Sequence, residues 1–133
     1  MLTNMFNPKS IAVIGASETP GKVGYAIMKN LECFKGEVIP VNPKGEVKVL
    51  DRFVDLVIIA IPSKFVLSEM ERIGKLGIKN VVVISAGFKE VGEVQLENDL
   101  IKIVEKYDIN MVGPNVFGIA NGKVDLNATF GDM

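Results

Sequence analysis

Residues 10–24, Ser-Ile-Ala-Val-Ile-Gly-Ala-Ser-Glu-Thr-Pro-Gly-Lys-Val-Gly, carry an apolar strand into a glycine-bearing turn with a lysine and then into a helix. Glycine lets a ligand approach the backbone, and the first amides of a helix point at an anion, so such a turn is suited to cradle a phosphate. Two familiar versions of it do not fit. A dinucleotide fingerprint requires Gly-x-Gly-x-x-Gly and an acidic residue after the second strand to hold a ribose diol. Here Ser17 stands at the second glycine position, and the second strand closes with Asn42-Pro43-Lys44. A lysine in that place attracts a phosphate, so plain NAD is disfavoured and a ligand with an extra ribose phosphate is favoured. A P-loop requires Gly-x-x-x-x-Gly-Lys followed by serine or threonine. The interval from Gly15 to Gly21 is one residue too long for it, and Val23 has no hydroxyl to bind magnesium.

What remains is a roomier loop. Pro20 and Gly21 suit the two central positions of a type II turn, and a helix starting near Lys22 or Val23 offers free amides and its positive dipole end. The bland alternative is a Gly-Ala-Ser turn that closes a strand–helix junction with nothing bound; the accompanying lysines argue against it. Three more loops carry unusual residues: Ile61-Pro62-Ser63, Ser85-Ala86-Gly87-Phe88 and Gly113-Pro114-Asn115. In an open parallel sheet all of these fall beyond the carboxyl ends of strands, where ligands bind. Phe88 has two equal readings, stacking on a base or packing under its loop.

The chain has no histidine. That removes the commonest general base, the usual partner of a catalytic serine or cysteine, and the commonest metal ligand. No catalytic residue and no metal ligand is therefore expected. Cys33, the single cysteine, reads as a small buried or half-buried hydrophobe near a helix end. Asp55 reads as leading into a strand, and Glu90 and Glu93 as solvated or in the first turn of a helix. Net charge is −1 with the signs interspersed, unlike a nucleic-acid-binding surface. No apolar run approaches the roughly 18 residues of a membrane span, and the amino terminus lacks a signal-peptide layout, which reads as cytosolic. Lysine well in excess of arginine, with glutamine and tryptophan scarce or missing, leans toward a thermophilic source.

The elements that must position these residues follow from the pattern. Valine- and isoleucine-rich runs at Ile11–Ile14, Val38–Val41, Leu56–Ile61 and Val81–Ile84, with a shorter one at Asn110–Val112, have the form of strands buried on both faces. Helical stripes fill residues 22–33, 63–76 and 93–107. Ser63 stands where an N-cap would, and Gly77 where a left-handed C-terminal residue is wanted. Between Val41 and Leu56 there is room only for a loop and a short strand around Val47–Leu50. The tail from Gly122 to Met133 reads as a packed or frayed extension. The 133 residues predict one domain, an α/β Rossmann-like three-layer fold with a mostly parallel sheet.

Taken in order, Phe6–Ser17, Val41-Asn42-Pro43-Lys44, Ser85-Ala86-Gly87-Phe88, Gly113-Pro114-Asn115 and Leu126-Asn127-Ala128-Thr129-Phe130 resemble the CoA-binding domain of nucleoside-diphosphate-forming acyl-CoA synthetases, relatives of the succinyl-CoA synthetase α subunit. The resemblance implies a domain that binds coenzyme A, or an acyl-CoA, across the carboxyl edge of its sheet. The implied binding set is Gly15, Ala16, Ser17, Gly21, Lys22, Val23 and Gly24 of the first loop, Asn42, Pro43 and Lys44 of the second, then Ile61, Pro62, Ile84, Ser85, Ala86 and Asn115. Within it, Ser17, Gly21, Lys22 and Val23 would hold the nucleotide phosphates, and Lys44 a phosphate at the adenosine end. Ile61, Pro62 and Ile84–Ala86 would line the adenine and pantetheine path, with Asn115 toward the thiol.

The chain departs from the family's pattern in three places. It stops before the flavodoxin-like domain that bears the phosphorylated histidine, its 44–55 segment is shorter, and Val116 replaces the cysteine common after Gly-Pro-Asn. The expectation is a CoA-binding part without catalysis of its own, serving a catalytic domain or ATP-grasp subunit, with self-association open. Two alternatives stand beside it: an NADP-binding oxidoreductase module, and a regulatory subunit that senses CoA charge state.

Overall fold

The computed structural model describes residues 5–131. Five strands form one parallel sheet in the order β2-β1-β3-β4-β5, where β1 is Ser10–Ile14, β2 Glu37–Val41, β3 Leu56–Ile59, β4 Asn80–Val83 and β5 Asn110–Val112. Three helices alternate with them: α1 (Val23–Asn30), α2 (Val66–Lys75) and α3 (Val94–Tyr107). The α/β, Rossmann-like reading of the sequence holds. No helix among the described residues is long and apolar enough to cross a membrane.

The sheet splits the core because successive side chains of a strand point to opposite faces. Ala12 and Ile14 of β1, Val57 and Ile59 of β3 and Val81 and Val83 of β4 pack with Met70 and Ile73 of α2 and Leu100 of α3. Ile11, Val13, Leu56, Ile58 and Val82 face the other way, against Ile27 and Leu31 at α1. Both sets are buried, which is why β1, β3 and β4 read as unbroken apolar runs. Each such valine, leucine, isoleucine or methionine contributes about 1.5–3 kcal/mol relative to exposure. β2 is an edge strand, and Pro40, which has no N–H to donate, is tolerated there.

The α1 face needs more cover than one short helix supplies. It comes from an antiparallel hairpin, β6 (Gly118–Asn121) and β7 (Leu126–Thr129), whose Ile119, Leu126 and Ala128 join the α1-side core. The tail is thus packed and holds a strand that its sequence did not announce; residues 132 and 133 lie outside the described residues. The chain reverses between β6 and β7 through a 3-10 turn, Gly122–Val124.

Three local expectations are corrected. Ser63 caps nothing: it opens a 3-10 turn, Ser63–Phe65, and α2 begins behind it at Val66 with Phe65 in the cap position and no side-chain cap. No strand forms around Val47–Leu50. Asn42 donates its amide to the Val47 carbonyl at 2.9 Å, which turns the chain back, and Leu50 and Val54 anchor the loop in the core. Arg52, on the same loop, grips Glu37 with two bonds of 2.6 and 2.9 Å. Cys33 is exposed, because it follows the end of α1 and lies past the stripe that Ile27 and Leu31 bury. Gly77 behaves as expected. With φ +80° it lets its own N–H reach the Gly74 carbonyl at 3.1 Å and the Ile78 N–H reach Ile73 at 3.3 Å, closing α2.

Candidate functional site

Chain order and strand order diverge at β1, with β2 on one side and β3 on the other. Helices leaving neighbouring strands in opposite directions open a crevice there, beyond the carboxyl ends of the strands. The loops after all five strands meet at this edge.

The first loop is held open by a close approach. A Cβ on Gly24 would collide with the Gly15 carbonyl, and one on Gly15 with the Ala60 carbonyl, so the start of α1 sits against the end of β1, which in turn sits against the end of β3. The turn between them has the predicted form. Lys22 donates its N–H to the Thr19 carbonyl at 3.2 Å across Pro20 and Gly21, and Gly21 has φ +94°. Ser17 Oγ accepts the Thr19 N–H at 3.0 Å. Lys22 occupies the N-cap position of α1, with no side chain bonded to the first turn. The helix therefore presents its first amides, its dipole and the exposed Lys22 together.

The second loop is tied to the first. Asn42 donates from Nδ2 to the Ala16 carbonyl at 2.5 Å, and its Oδ1 accepts the Lys44 N–H at 2.8 Å. Asn42 is thus spent on holding the two loops together, and Ala16 is a buried core residue. Pro43 and Lys44 are exposed.

The loops after β3, β4 and β5, with Val23 at the start of α1 and Phe130 beyond β7, border an open cleft of about 450 Å³. Of the residues singled out from the sequence, Val23, Ile61, Pro62, Ile84, Ser85, Ala86 and Asn115 line it. Gly15, Ala16, Ser17, Gly21, Lys22, Gly24, Asn42, Pro43 and Lys44 do not; they form the flanking first and second loops. Ser85 joins three loops: its Oγ accepts the Ile61 N–H at 3.2 Å and its carbonyl accepts the Asn115 N–H at 3.0 Å. Asn115 follows the cis Gly113–Pro114 peptide and has φ +61°.

The lining also contains Ala60, Val116, Phe117 and Phe130, which sequence reasoning did not assign to the site. Phe117 and Phe130 meet edge to face with ring centroids 4.4 Å apart. The only signal for Phe117 was an aromatic two residues after Gly113-Pro114-Asn115. Phe130 ends the Leu126–Phe130 motif that carries part of the resemblance, but no place in the site followed from it. Phe88 is fully buried in the α2–α3 core, so of its two readings packing holds and stacking on a ligand does not.

Glu90 has a structural task beyond solvation. Its carboxylate accepts the N–H of Gly87 at 2.5 Å and of Phe88 at 3.1 Å, and these bonds, the Gly87 one foremost, hold its carboxyl below the usual carboxylate range. Glu93 immediately precedes α3 without capping it. Glu97, one turn on, accepts the Lys89 N–H at 3.1 Å. Asp55 leads into β3 as expected and accepts the Lys9 N–H at 2.9 Å, at the opposite edge of the sheet.

No residue lining the cleft titrates near neutrality, and Ser85, its hydroxyl already engaged, has no base beside it among them. The arrangement can bind and orient. It offers a cationic, amide-rich flank on β1 and β2 and an apolar cleft from Val23 across the loops after β3, β4 and β5.

A family model described as a CoA binding domain matches residues 9–122. An acetate–CoA ligase (ADP-forming) of Methanocaldococcus jannaschii is 47% identical over an alignment that covers 92% of this chain and 19% of that protein. The α subunit of acetate–CoA ligase (ADP-forming) I of Pyrococcus furiosus is 44% identical, with 98% of this chain and 32% of that one covered. Among solved structures, the dinucleotide-forming acetyl-coenzyme A synthetase 1 of Candidatus Korarchaeum cryptofilum, in complex with phosphate and ADP, superposes with a TM-score of 0.94 at 40% identity, covering 99% of this chain and 31% of that one. The chain spans about a fifth to a third of the length of these relatives.

Proposed function

Because the chain belongs to the CoA-binding domain family, we propose that it is the coenzyme A-holding part of an ADP-forming acyl-CoA synthetase and makes or breaks no bond by itself. The observation that carries this is the division of the carboxyl edge. Lys22 and Lys44 lie on the β1 and β2 side, and the apolar cleft runs from Val23, the first residue of α1, across the loops after β3, β4 and β5. Coenzyme A has the same division: a phosphorylated adenosine and a diphosphate at one end, a long uncharged pantetheine arm with a thiol at the other.

In this reading the first-turn amides of α1, with Ser17, Gly21 and Lys22, hold the diphosphate, and Lys44 meets the ribose phosphate. Gly15, Gly24, Ala16 and Asn42 shape the two loops, and Pro43 starts the second away from β2. Ile61, Pro62, Ile84, Ser85 and Ala86 line the path of the arm, which ends near Asn115. The chemistry belongs to a catalytic domain and an ATP-grasp partner of the synthetase, in the cytoplasm. The names of the M. jannaschii and P. furiosus relatives support acetate as the acid they activate, and a small carboxylic acid is the substrate class proposed for the whole enzyme here.

Calorimetry with coenzyme A, acetyl-CoA, NADPH and ATP tests the reading. Micromolar binding of coenzyme A is expected. Binding of NADPH with none of coenzyme A would overturn it in favour of an oxidoreductase module.

A further inference from the structure

The aromatic pair in the cleft has a support that reaches across the molecule. Asn30, the last residue of α1, donates from Nδ2 to two carbonyls, Thr129 at 2.8 Å and Gly131 at 2.9 Å. These carbonyls belong to the residues on either side of Phe130. One amide therefore fixes the backbone on both sides of that ring, and the contact spans about a hundred residues of chain. Phe117 then packs edge-on against Phe130, and the absence of a side chain at Gly131 leaves room for it: a Cβ there would come within 2.7 Å of the Phe117 ring.

Phe117 is nonetheless 61% exposed, although it is a large apolar ring held in one place and facing the cleft. An aromatic face fixed at the mouth of an apolar cleft is suited to cover an uncharged ligand segment, and edge-to-face pairing keeps the ring from collapsing into the space it borders. The cleft touches α1 only at Val23 and is otherwise lined by the loops after β3, β4 and β5 and by Phe130; no charged side chain among the described residues lines it, so the segment it meets is the uncharged one.

We propose that Phe117 and Phe130 form the wall against which the pantetheine arm packs, and that Asn30 is the positioning residue that holds this wall to α1. The inference rests on the coenzyme A reading above and extends it to residues outside the glycine and lysine loops. It also couples the two halves of the site mechanically. The helix whose first turn faces the phosphates is bonded by its last residue to the strand that carries the arm's wall.

The test compares coenzyme A with adenosine 3′,5′-bisphosphate, which keeps the adenosine, its 3′-phosphate and one of the two 5′ phosphates and lacks the arm, by calorimetry on the full chain. Because Phe117 is largely exposed, Phe117→Ala should fold, which circular dichroism checks. The expected result is a loss of about tenfold in coenzyme A affinity, with the bisphosphate changed by less than about twofold. Asn30→Ala should shift the same ratio in the same direction at a temperature well below its Tm. A purely structural Asn30 would lower Tm and leave the ratio alone. Unchanged coenzyme A affinity in Phe117→Ala, or equal losses for both ligands, overturns the wall, and an unchanged ratio in Asn30→Ala overturns its positioning role. A wild-type chain that binds neither ligand overturns the coenzyme A reading itself, an outcome distinct from the other two.

Discussion

The hydroxyl oxygen of Ser85, at the carboxyl end of β4, accepts the backbone N–H of Ile61 from the loop after β3 at 3.2 Å. The carbonyl of the same residue accepts the Asn115 N–H from the loop after β5. Three loops that border the cleft are thereby registered to one another through a single buried residue. Replacing Ser85 with alanine leaves the Ile61 amide without its partner in a half-buried place, which costs about 1 kcal/mol. Urea denaturation should show that loss, and calorimetry a weaker hold on coenzyme A, since Ile61 and Asn115 both border the proposed path.

Gly24 and Gly15 meet with no room for a methyl group between them. Gly24→Ala drives a Cβ into a carbonyl that cannot move without shifting the end of β1, so α1 must tilt away from the sheet. A destabilisation of about 1–3 kcal/mol is expected, read from the urea midpoint. Coenzyme A binding should fall further than stability alone explains, because the amides at the start of α1 are displaced from the crevice. A variant with wild-type affinity would remove α1 from the proposed phosphate site.

Lys44→Ala separates the ribose phosphate from the rest of the ligand. Calorimetry should show coenzyme A weakened about tenfold, the scale of one charge-assisted hydrogen bond, and dephospho-CoA nearly unaffected. The discrimination should shrink as salt is raised, since Lys44 is exposed. Equal losses for the two ligands would mean that Lys44 does not touch that phosphate.

Glu90 predicts a pH dependence confined to one loop. Its carboxyl is depressed in the folded chain by the Gly87 N–H foremost and by further backbone N–H groups including that of Phe88. A group whose folded value lies below its unfolded one stabilises the fold above the unfolded value, and that stabilisation disappears as pH falls through the folded value. Amide exchange at Gly87 and Phe88 should therefore accelerate, relative to the intrinsic rate, on acidification from about pH 5 to pH 3. Glu90→Gln should remove most of this dependence. If wild type and variant respond alike over that interval, the Glu90 bonds do not order the loop in solution.

Much of this architecture is legible in the chain before it is folded. β1, β3 and β4 announce themselves as valine- and isoleucine-rich runs because both of their faces are buried, and α2 and α3 as apolar stripes because one face of each is. Pro20-Gly21 and Gly77 are readable for a different reason: turn geometry is a property of a few adjacent residues and their allowed φ. Ser63 and Cys33 were misread because a plausible residue type at a plausible position does not disclose where a helix begins or how far its buried stripe extends. Phe88 had two equal readings until the α2–α3 core closed over it.

The sequence by itself determined the α/β order, the turn chemistry of the first loop and the lysines that flank it, since each depends on residues near one another along the chain. Only the tertiary structure decided that β6 and β7 cover the α1 face and that Phe117 and Phe130 border the cleft. It alone also showed that Asn30 reaches Gly131. Those outcomes are set by which distant surfaces must exclude water together and by which buried carbonyls need a donor, and no local pattern carries that information.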